Sequence, residues 1–347
     1  MQRSAAKWLV LVVTALVVFG AGRAELAAGQ PKPNAESKTN FVRVWPSPPA
    51  RARIQFVKTI ATLKDLGGKP SLWERFLNLV AGEAPERLVT PHGLAIFEDK
   101  LYIADPDGHA VWEFNMAKPS VRKWDIPREH FLTPIGVAVD QKGKVFVSDS
   151  GKGTVFVLSP EGRFLKTISG ENLFVRPTGL AVDRARRRLY VVDTAGNRIT
   201  VLDTESYELV STFGRRGDNP GEFNYPVHAF VRNDRLYVSD SLNFRIQIFT
   251  LDGRFESAFG RMGDGSGDFA RPKGVAVDSA GHIYVVDALF DRVQIFDRDG
   301  RFLLPFGESG QGLGEFWLPT GIYIDEKDRI FVADSSNRRV QVFQYLR

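Results

Sequence analysis

One pattern recurs six times along this 347-residue chain, and it limits the possible folds more than any other feature. Each copy begins with Pro, a variable residue and a small residue, except that His228 takes the place of the small residue in the fourth copy. An apolar segment, a turn, a second apolar segment ending in Asp, a short loop and a third segment follow. The strand-ending aspartates are Asp105, Asp149, Asp193, Asp240, Asp287 and Asp334, which lie 44, 44, 47, 47 and 47 residues apart. A fixed period of this size, built from short strands, is typical of a propeller with one blade per repeat. The sequence therefore predicts an all-β, six-bladed β-propeller.

The sixth copy ends at its third strand, and the missing strand is found before the first repeat. Residues 53–60 have the composition of a strand and no repeat of their own. We expect them to pair with residues 339–346, because joining the two ends of the chain in one blade closes the ring and removes an exposed edge. Between this strand and the first repeat, Ser71 and Glu74 form a capping box ahead of apolar residues at helical spacing. This pattern predicts a short helical insertion at about 71–81.

The N-terminus has the pattern of a secretory signal over residues 1–24. Arg3 and Lys7 precede an apolar run of 13 residues, and Gly22 and Ala24 supply the small residues of a cleavage site. The run is shorter than the roughly 20 residues that span a bilayer, so we expect no spanning membrane segment after signal removal. Residues 25–50 lack periodicity and predict a flexible leader before a propeller at 51–347. The expected location is periplasmic or extracellular, with attachment to the membrane if the signal is retained.

Charge and cysteine content exclude several classes of function. Cleavage after Ala24 removes three basic residues and no acidic one, which lowers the formal net charge from +5 to +2. A charge this small argues against nucleic-acid binding. The absence of cysteine excludes disulfides, thiolate metal sites and cysteine nucleophiles. We expect a monomeric propeller that acts alone or within an envelope complex.

Four of the strand-ending aspartates are followed five residues later by an arginine. An arginine fork can hold a carboxylate, and copies at equal spacing indicate blade architecture, because a reaction site needs a unique set of residues. The predicted structural pairs are Asp193 with Arg198, Asp240 with Arg245, Asp287 with Arg292, and Asp334 with Arg339.

The Pro-x-small segment and the loop after each strand-ending Asp are expected on one face of the propeller, around the channel mouth. Four of the five histidines fall in these segments or in the links before them. Aromatic and cationic side chains are enriched where binding energy is concentrated. The sequence therefore predicts a binding module without catalytic residues or a cofactor, which engages a protein, peptide or glycan. The predicted contact residues are His92, His109, His228, Tyr225, Lys273, Phe290 and Trp317.

The repeats resemble the NHL repeat family. The motifs PKGVAVD, IYVVD, S-S-N-R-R and VQIF of this chain are similar to the family consensus, and the resemblance covers residues 53–347. It implies a six-bladed propeller but no single function, because the family includes binding modules, RNA binders, receptor sensor domains and a peptide-amidating lyase. That lyase binds zinc through histidines in Pro-His positions, which His92 matches and His228 misses by one residue. The resemblance therefore implies an alternative, a metal-dependent lyase or hydrolase with zinc held by His92, His109 and His228.

Overall fold

The computed structural model describes residues 43–68, 87–126 and 129–347. These residues form six antiparallel sheets, and the innermost strand of each sheet neighbours that of the next around a closed ring. The prediction of an all-β, six-bladed propeller is confirmed. The signal pattern at 1–24 and the helix predicted at 71–81 lie outside the described residues.

The blades follow one another in chain order, with the innermost strand first in each. Two strands precede the repeats, β1 (Val44–Trp45) and β2 (Ile54–Ile60). Blade 1 contains β3 (Leu94–Phe97), β4 (Lys100–Asp105), β5 (Ala110–Asn115) and β6 (Ser120–Trp124), and blade 2 contains β7 (Pro134–Val139), β8 (Val145–Asp149), β9 (Thr154–Leu158) and β10 (Phe164–Ile168). Blade 3 contains β11 (Pro177–Asp183), β12 (Arg188–Asp193), β13 (Arg198–Asp203) and β14 (Leu209–Phe213), and blade 4 contains β15 (Pro226–Arg232), β16 (Arg235–Asp240), β17 (Arg245–Thr250) and β18 (Phe255–Phe259). Blade 5 contains β19 (Pro272–Val277), β20 (Ile283–Asp287), β21 (Arg292–Phe296) and β22 (Phe302–Phe306), and blade 6 contains β23 (Pro319–Ile324), β24 (Arg329–Asp334) and β25 (Arg339–Tyr345), followed by β2 and β1.

Blade 6 is completed from both ends of the described chain, as the missing fourth strand predicted. Strand β2 pairs antiparallel with β25, and the register runs from Ile54 opposite Tyr345 to Ile60 opposite Val340. Both isoleucines are fully buried, so the closing strand contributes to the core. Two short 3-10 helices, Leu63–Leu66 and Ser241–Asn243, are described outside the blades. Neither helix is long or apolar enough to cross a membrane.

The leader boundary predicted at residue 50 is wrong at its C-terminal end, because regular structure already begins at Val44. Strand β1 adds a fifth strand to blade 6, where the Trp45 ring lies 5.7 Å from the ring of Phe343. Arg43 forms ion pairs with Glu308 and Glu315. These contacts come from residues more than 260 positions away in the sequence, so local composition gives no sign of them.

The small residue of each Pro-x-Gly segment lies where neighbouring blades approach most closely. A Cβ added at Gly179 would lie 2.7 Å from Cα of His228 in the next blade, and one added at Gly274 would lie 2.7 Å from the carbonyl oxygen of Thr320. Such distances exclude a side chain, which explains the glycine physically. Blade 4 carries His228 at this position, and its Nδ1 accepts a hydrogen bond from the Val275 backbone N–H at 3.3 Å.

Each inner strand begins at the end of the blade where the second strand stops. Pro177 pairs with Asp193, and the same Pro–Asp pairing recurs in blades 2, 4, 5 and 6. Asp193 also accepts hydrogen bonds from the backbone N–H groups of Val175 and Arg176. The loop before the inner strand and the loop after the Asp therefore lie together, on the face that surrounds the channel mouth.

Candidate ligand-binding site at the channel mouth

The loops around the mouth are fixed by buried carboxylates and their arginine partners. Arg198 Nε lies 3.0 Å from Asp193 Oδ2, and the equivalent distances are 2.9 Å for Arg245 with Asp240 and 2.7 Å for Arg339 with Asp334. All three carboxylates are fully buried. These pairs therefore fix the loops on the face around the channel mouth in the same way in blades 3, 4 and 6, and the residues of this face that point outward remain exposed.

The pair predicted in blade 5, Asp287 with Arg292, is not formed. The Arg292 guanidinium lies over the Phe290 ring, 4.3 Å from its centroid, and Asp287 accepts only backbone N–H groups among the bonds described. In blades 4 and 6 an asparagine precedes the arginine by two residues and donates its amide to the aspartate, as Asn243 does to Asp240. Phe290 occupies that place in blade 5 and offers an aromatic face to the arginine. Phe290 is therefore half-buried beneath Arg292.

Buried glutamines are a further element of this framework that the sequence reasoning missed. In blade 4, Gln247 donates to the Glu222 carbonyl oxygen at 2.7 Å and to Asp240 at 3.1 Å, and it accepts from the Gly221 N–H. Gln294 and Gln341 bind the corresponding glycine-rich loops of blades 5 and 6. The sequence feature that could have revealed them is a glutamine at the second position of each V-Q-I-F-like strand, where an apolar residue would be expected.

Six side chains, one from each blade, line a cavity of about 90 Å³ at the mouth. Each is the variable residue of a Pro-x-Gly or Pro-x-His segment, and together they are His92, Ile135, Thr178, Val227, Lys273 and Thr320. His228 and Arg176 also line this cavity. A larger cavity of about 210 Å³ continues from His92 and His228 along the inner strands. The structure thus brings together three of the predicted contact residues, His92, His228 and Lys273.

Burial and like charge control the protonation of this cluster. Burial in the channel wall, the nearby Lys273 charge and His228 lower the pKa of His92 to about 3. Burial lowers the pKa of His228 to about 4. Burial and the charges of Arg271 and Arg176 lower the pKa of Lys273 to about 8. At neutral pH the mouth therefore holds neutral imidazoles beside a lysine that remains mostly charged.

The other predicted contact residues lie outside the channel. Tyr225 and Trp317 are exposed in the loops before the inner strands of blades 4 and 6. His109 Nδ1 lies 2.7 Å from the Leu132 carbonyl oxygen, and His109 lines a separate depression with Asp125 and His130.

The zinc set His92, His109 and His228 is not assembled, because His109 is at the tip of a loop outside the channel. In the part of the chain that the structure describes, no group of three or more His, Cys, Asp or Glu residues is arranged to hold a metal ion.

Side chains from different blades form contacts at the far end of the channel. The Ile96 carbonyl oxygen accepts from Arg184 at 3.0 Å and from the Tyr323 hydroxyl at 3.4 Å. Arg232 forms an ion pair with Glu326 at 3.2 Å. These contacts engage Arg184 and Arg232, whereas the side chains of Arg176 and Lys273 at the mouth have no such partners among the described residues.

Comparison with known proteins places the chain among propellers of several functions. Peptidylglycine alpha-amidating monooxygenase of Rattus norvegicus is 28% identical over 172 residues, which cover 45% of this chain and 16% of that protein. Protein brain tumor of Drosophila melanogaster is 34% identical over 116 residues, which cover 33% of this chain and 10% of that protein. The matched segments thus span less than a fifth of these two relatives. The expected relation to NHL-repeat proteins is confirmed.

Solved structures with the same fold include binding proteins and enzymes. An auxiliary nutrient binding protein from Bacteroides thetaiotaomicron matches with a TM-score of 0.59 and 14% identity, covering 74% of this chain and 69% of that one. A gluconolactonase from Xanthomonas campestris matches with a TM-score of 0.58 and 18% identity, covering 75% and 87%. A virginiamycin B lyase from Staphylococcus aureus matches with a TM-score of 0.55 and 14% identity, covering 74% and 95%. Identities this low establish the fold alone.

A family model described as a 6-bladed beta-propeller (DUF5128) matches residues 129–214, 222–293 and 279–345, which together exceed half of the chain. The chain therefore belongs to this 6-bladed beta-propeller family.

Proposed function

We propose that this protein is an exported, non-enzymatic binding module that engages a peptide or a protein segment on the face around the channel mouth. The proposal of export rests on the signal pattern at residues 1–24. The choice of a peptide or protein ligand, over a glycan, rests on the apolar character of this face.

The observation that carries the proposal is a ring of exposed large hydrophobic side chains, which we call the rim. Its members lie in the loops before the inner strands or after the strand-ending aspartates, and they are Leu132, Val175, Tyr225, Leu242, Leu289, Trp317 and Leu318. Exposed apolar residues gathered on one face mark an interaction site, whereas isolated ones do not. Blades 2 to 6 all contribute, so the rim surrounds most of the mouth.

The mouth chemistry also supports binding in preference to reaction. Among the described residues, the smaller cavity is lined by a lysine, an arginine and two histidines, and by no carboxylate. General acid–base catalysis by histidine commonly uses a pKa near the operating pH, and both histidines here titrate far below it. The constant framework of buried pairs beneath the rim suits a surface that contacts a ligand without rearranging.

The test is selection of ligands followed by matched substitution. A phage-displayed library of random linear peptides is selected on the purified propeller, and the recovered peptides are measured by fluorescence anisotropy. Leu289→Ser and Trp317→Ala should each weaken binding by about tenfold, as expected where an exposed anchor loses its contact.

Leu209→Ser is the matched control, because Leu209 on the outer strand β14 is 57% exposed and Leu289 on the rim is 56% exposed. It should leave peptide affinity unchanged. Failure to recover any specific peptide, or an equal loss of peptide affinity in the control variant and the rim variants, would overturn the proposal. Specific binding on a glycan array without peptide binding would overturn the choice of ligand class.

A further inference from the structure

We infer that the mouth cavity binds a carboxylate, and that this carboxylate is the side chain of an Asp or Glu flanked by apolar residues in the ligand. The inference rests on the proposed function, since the flanking residues are those that contact the rim.

The cavity at the mouth carries an excess of positive charge without a counter-ion among the described residues. Lys273 lines the cavity with Arg176, and Arg271 is close enough to influence Lys273 electrostatically. In the described part of the chain, the side chains of these three residues form no hydrogen bond or ion pair, although the backbone N–H groups of Arg176 and Arg271 donate to Asp193 and Asp287. Elsewhere the cations near the channel are engaged, as Arg184 and Arg232 are at the far end. Lys273 is half-buried, whereas Arg176 and Arg271 are exposed. The charged form of a half-buried lysine grouped with two other cations is destabilised, and a bound anion stabilises it.

His228 and two threonines line the cavity beside Lys273. His228 Nδ1 accepts the Val275 N–H, so the neutral ring carries its proton on Nε2 and can donate from there. The hydroxyl of Thr178 is 2.7 Å from that of Thr194, and the hydroxyl of Thr320 is 2.7 Å from that of Ser335. These threonines connect neighbouring blades. The cavity therefore offers the ammonium group of Lys273, the guanidinium of Arg176 and the Nε2–H of His228, which can together bind a carboxylate.

The cavity lies inside the rim. Exposed apolar side chains from blades 2 to 6 lie around it, so a segment that crosses the face contacts Val175 on one side and Leu289 or Trp317 on the other. Its middle residue then lies over the cavity. This arrangement favours an internal acidic side chain between apolar neighbours, and not the free carboxylate at the end of a chain.

The experiment uses the recovered peptides, synthesised with acetylated N-termini and amidated C-termini. Each acidic peptide is compared with its Glu→Gln or Asp→Asn form on the native protein and on Lys273→Met. The acidic form should bind about tenfold or more tightly than the amide form to the native protein, and equally to Lys273→Met. Lys64→Met, on the 3-10 helix Leu63–Leu66, is the control and should preserve the preference.

A second measurement avoids substitution. Acetylation of Lys273 by an N-hydroxysuccinimide ester at pH 8, followed by mass spectrometry, should slow by about tenfold when the acidic peptide is bound at saturation. Equal affinity for acidic and amide peptides, or unprotected Lys273, would overturn the carboxylate site and leave the binding module intact. Binding that requires an uncapped C-terminus would overturn the choice of an internal side chain. The absence of any peptide binding would instead contradict the proposed function.

Discussion

Two arginines at equivalent positions in neighbouring blades provide a controlled test of how the loop face is held. Arg245 donates to Asp240 at 2.9 Å and to three carbonyl oxygens of the glycine-rich loop, on Asp218, Asn219 and Glu222. Arg292 lies on Phe290 instead, and its buried Nε has no partner among the described residues. Truncation to alanine should therefore have very different consequences at the two positions.

The expected magnitudes follow from these contacts. Arg245→Ala leaves the fully buried Asp240 without its cation, and removing one partner of a buried ion pair costs about 3–5 kcal/mol. Burial already raises the pKa of Asp240, so the remaining amide donors only partly compensate for the loss. Arg292→Ala removes a cation–π contact of about 0.5–1 kcal/mol and an unsatisfied donor.

The assay is equilibrium unfolding in urea, followed by tryptophan fluorescence. Arg245→Ala should lower the free energy of unfolding by about 2 kcal/mol or more beyond the loss in Arg292→Ala. The reasoning is refuted if both variants lose the same free energy, or if Arg292→Ala loses more.

Three further predictions concern the inner ring and the mouth. Gly274→Ala should destabilise the propeller by about 1–3 kcal/mol, because the added Cβ would lie 2.7 Å from the Thr320 carbonyl oxygen. Gly170→Ala should destabilise it much less, because the nearest atom to its added Cβ is 3.6 Å away, and unfolding in urea compares the two variants. The free energy of unfolding should fall as the pH drops from about 6.5 towards 4. In this range His92 and His228 bind protons in the unfolded chain but stay neutral in the folded protein, because burial lowers their pKa values. A His92→Gln, His228→Gln double variant should therefore show a shallower fall. Affinity for an acidic peptide should be nearly constant up to about pH 7 and should decrease through pH 8 and above, because Lys273, whose pKa is about 8, loses its proton over this range. Lys273→Met should abolish this dependence in anisotropy titrations.

The architecture was predictable because it depends on repetition. The Pro-x-Gly and strand-ending Asp motifs fix the blade number, and the strand left over at residues 53–60 indicates the closure that β2 and β25 form. The same motif predicts that His92 and Lys273, which directly follow its proline, lie at the channel mouth. Each of these inferences uses a pattern that appears several times, so errors in one copy are corrected by the others.

The exceptions to the repeat were less predictable, because they depend on contacts between distant residues. Phe290 replaces an asparagine of neighbouring blades, and only the folded geometry reveals that Arg292 then turns away from Asp287. His109 follows the repeat in position, but its loop points it towards Leu132 and away from the channel. Strand β1 depends on Trp45 reaching Phe343, a contact that no local pattern encodes.

The variable position of the repeat is where function is concentrated in this account. Its six members are two threonines, two aliphatic residues, a histidine and a lysine, and the ring brings them to one cavity. The proline before this position is the same in all six copies, whereas the residue at the position itself sets the charge of the mouth. The same fold can therefore carry different residues at the channel mouth without changes in its core.

Hydrogen–deuterium exchange with a bound peptide tests the location of the ligand most directly. The account predicts slower exchange in the loops that carry Val175, Tyr225, Leu289 and Trp317, with no change in the outer strands β10 and β14. Protection confined to those outer strands, with the mouth loops exchanging as in the free protein, would contradict it.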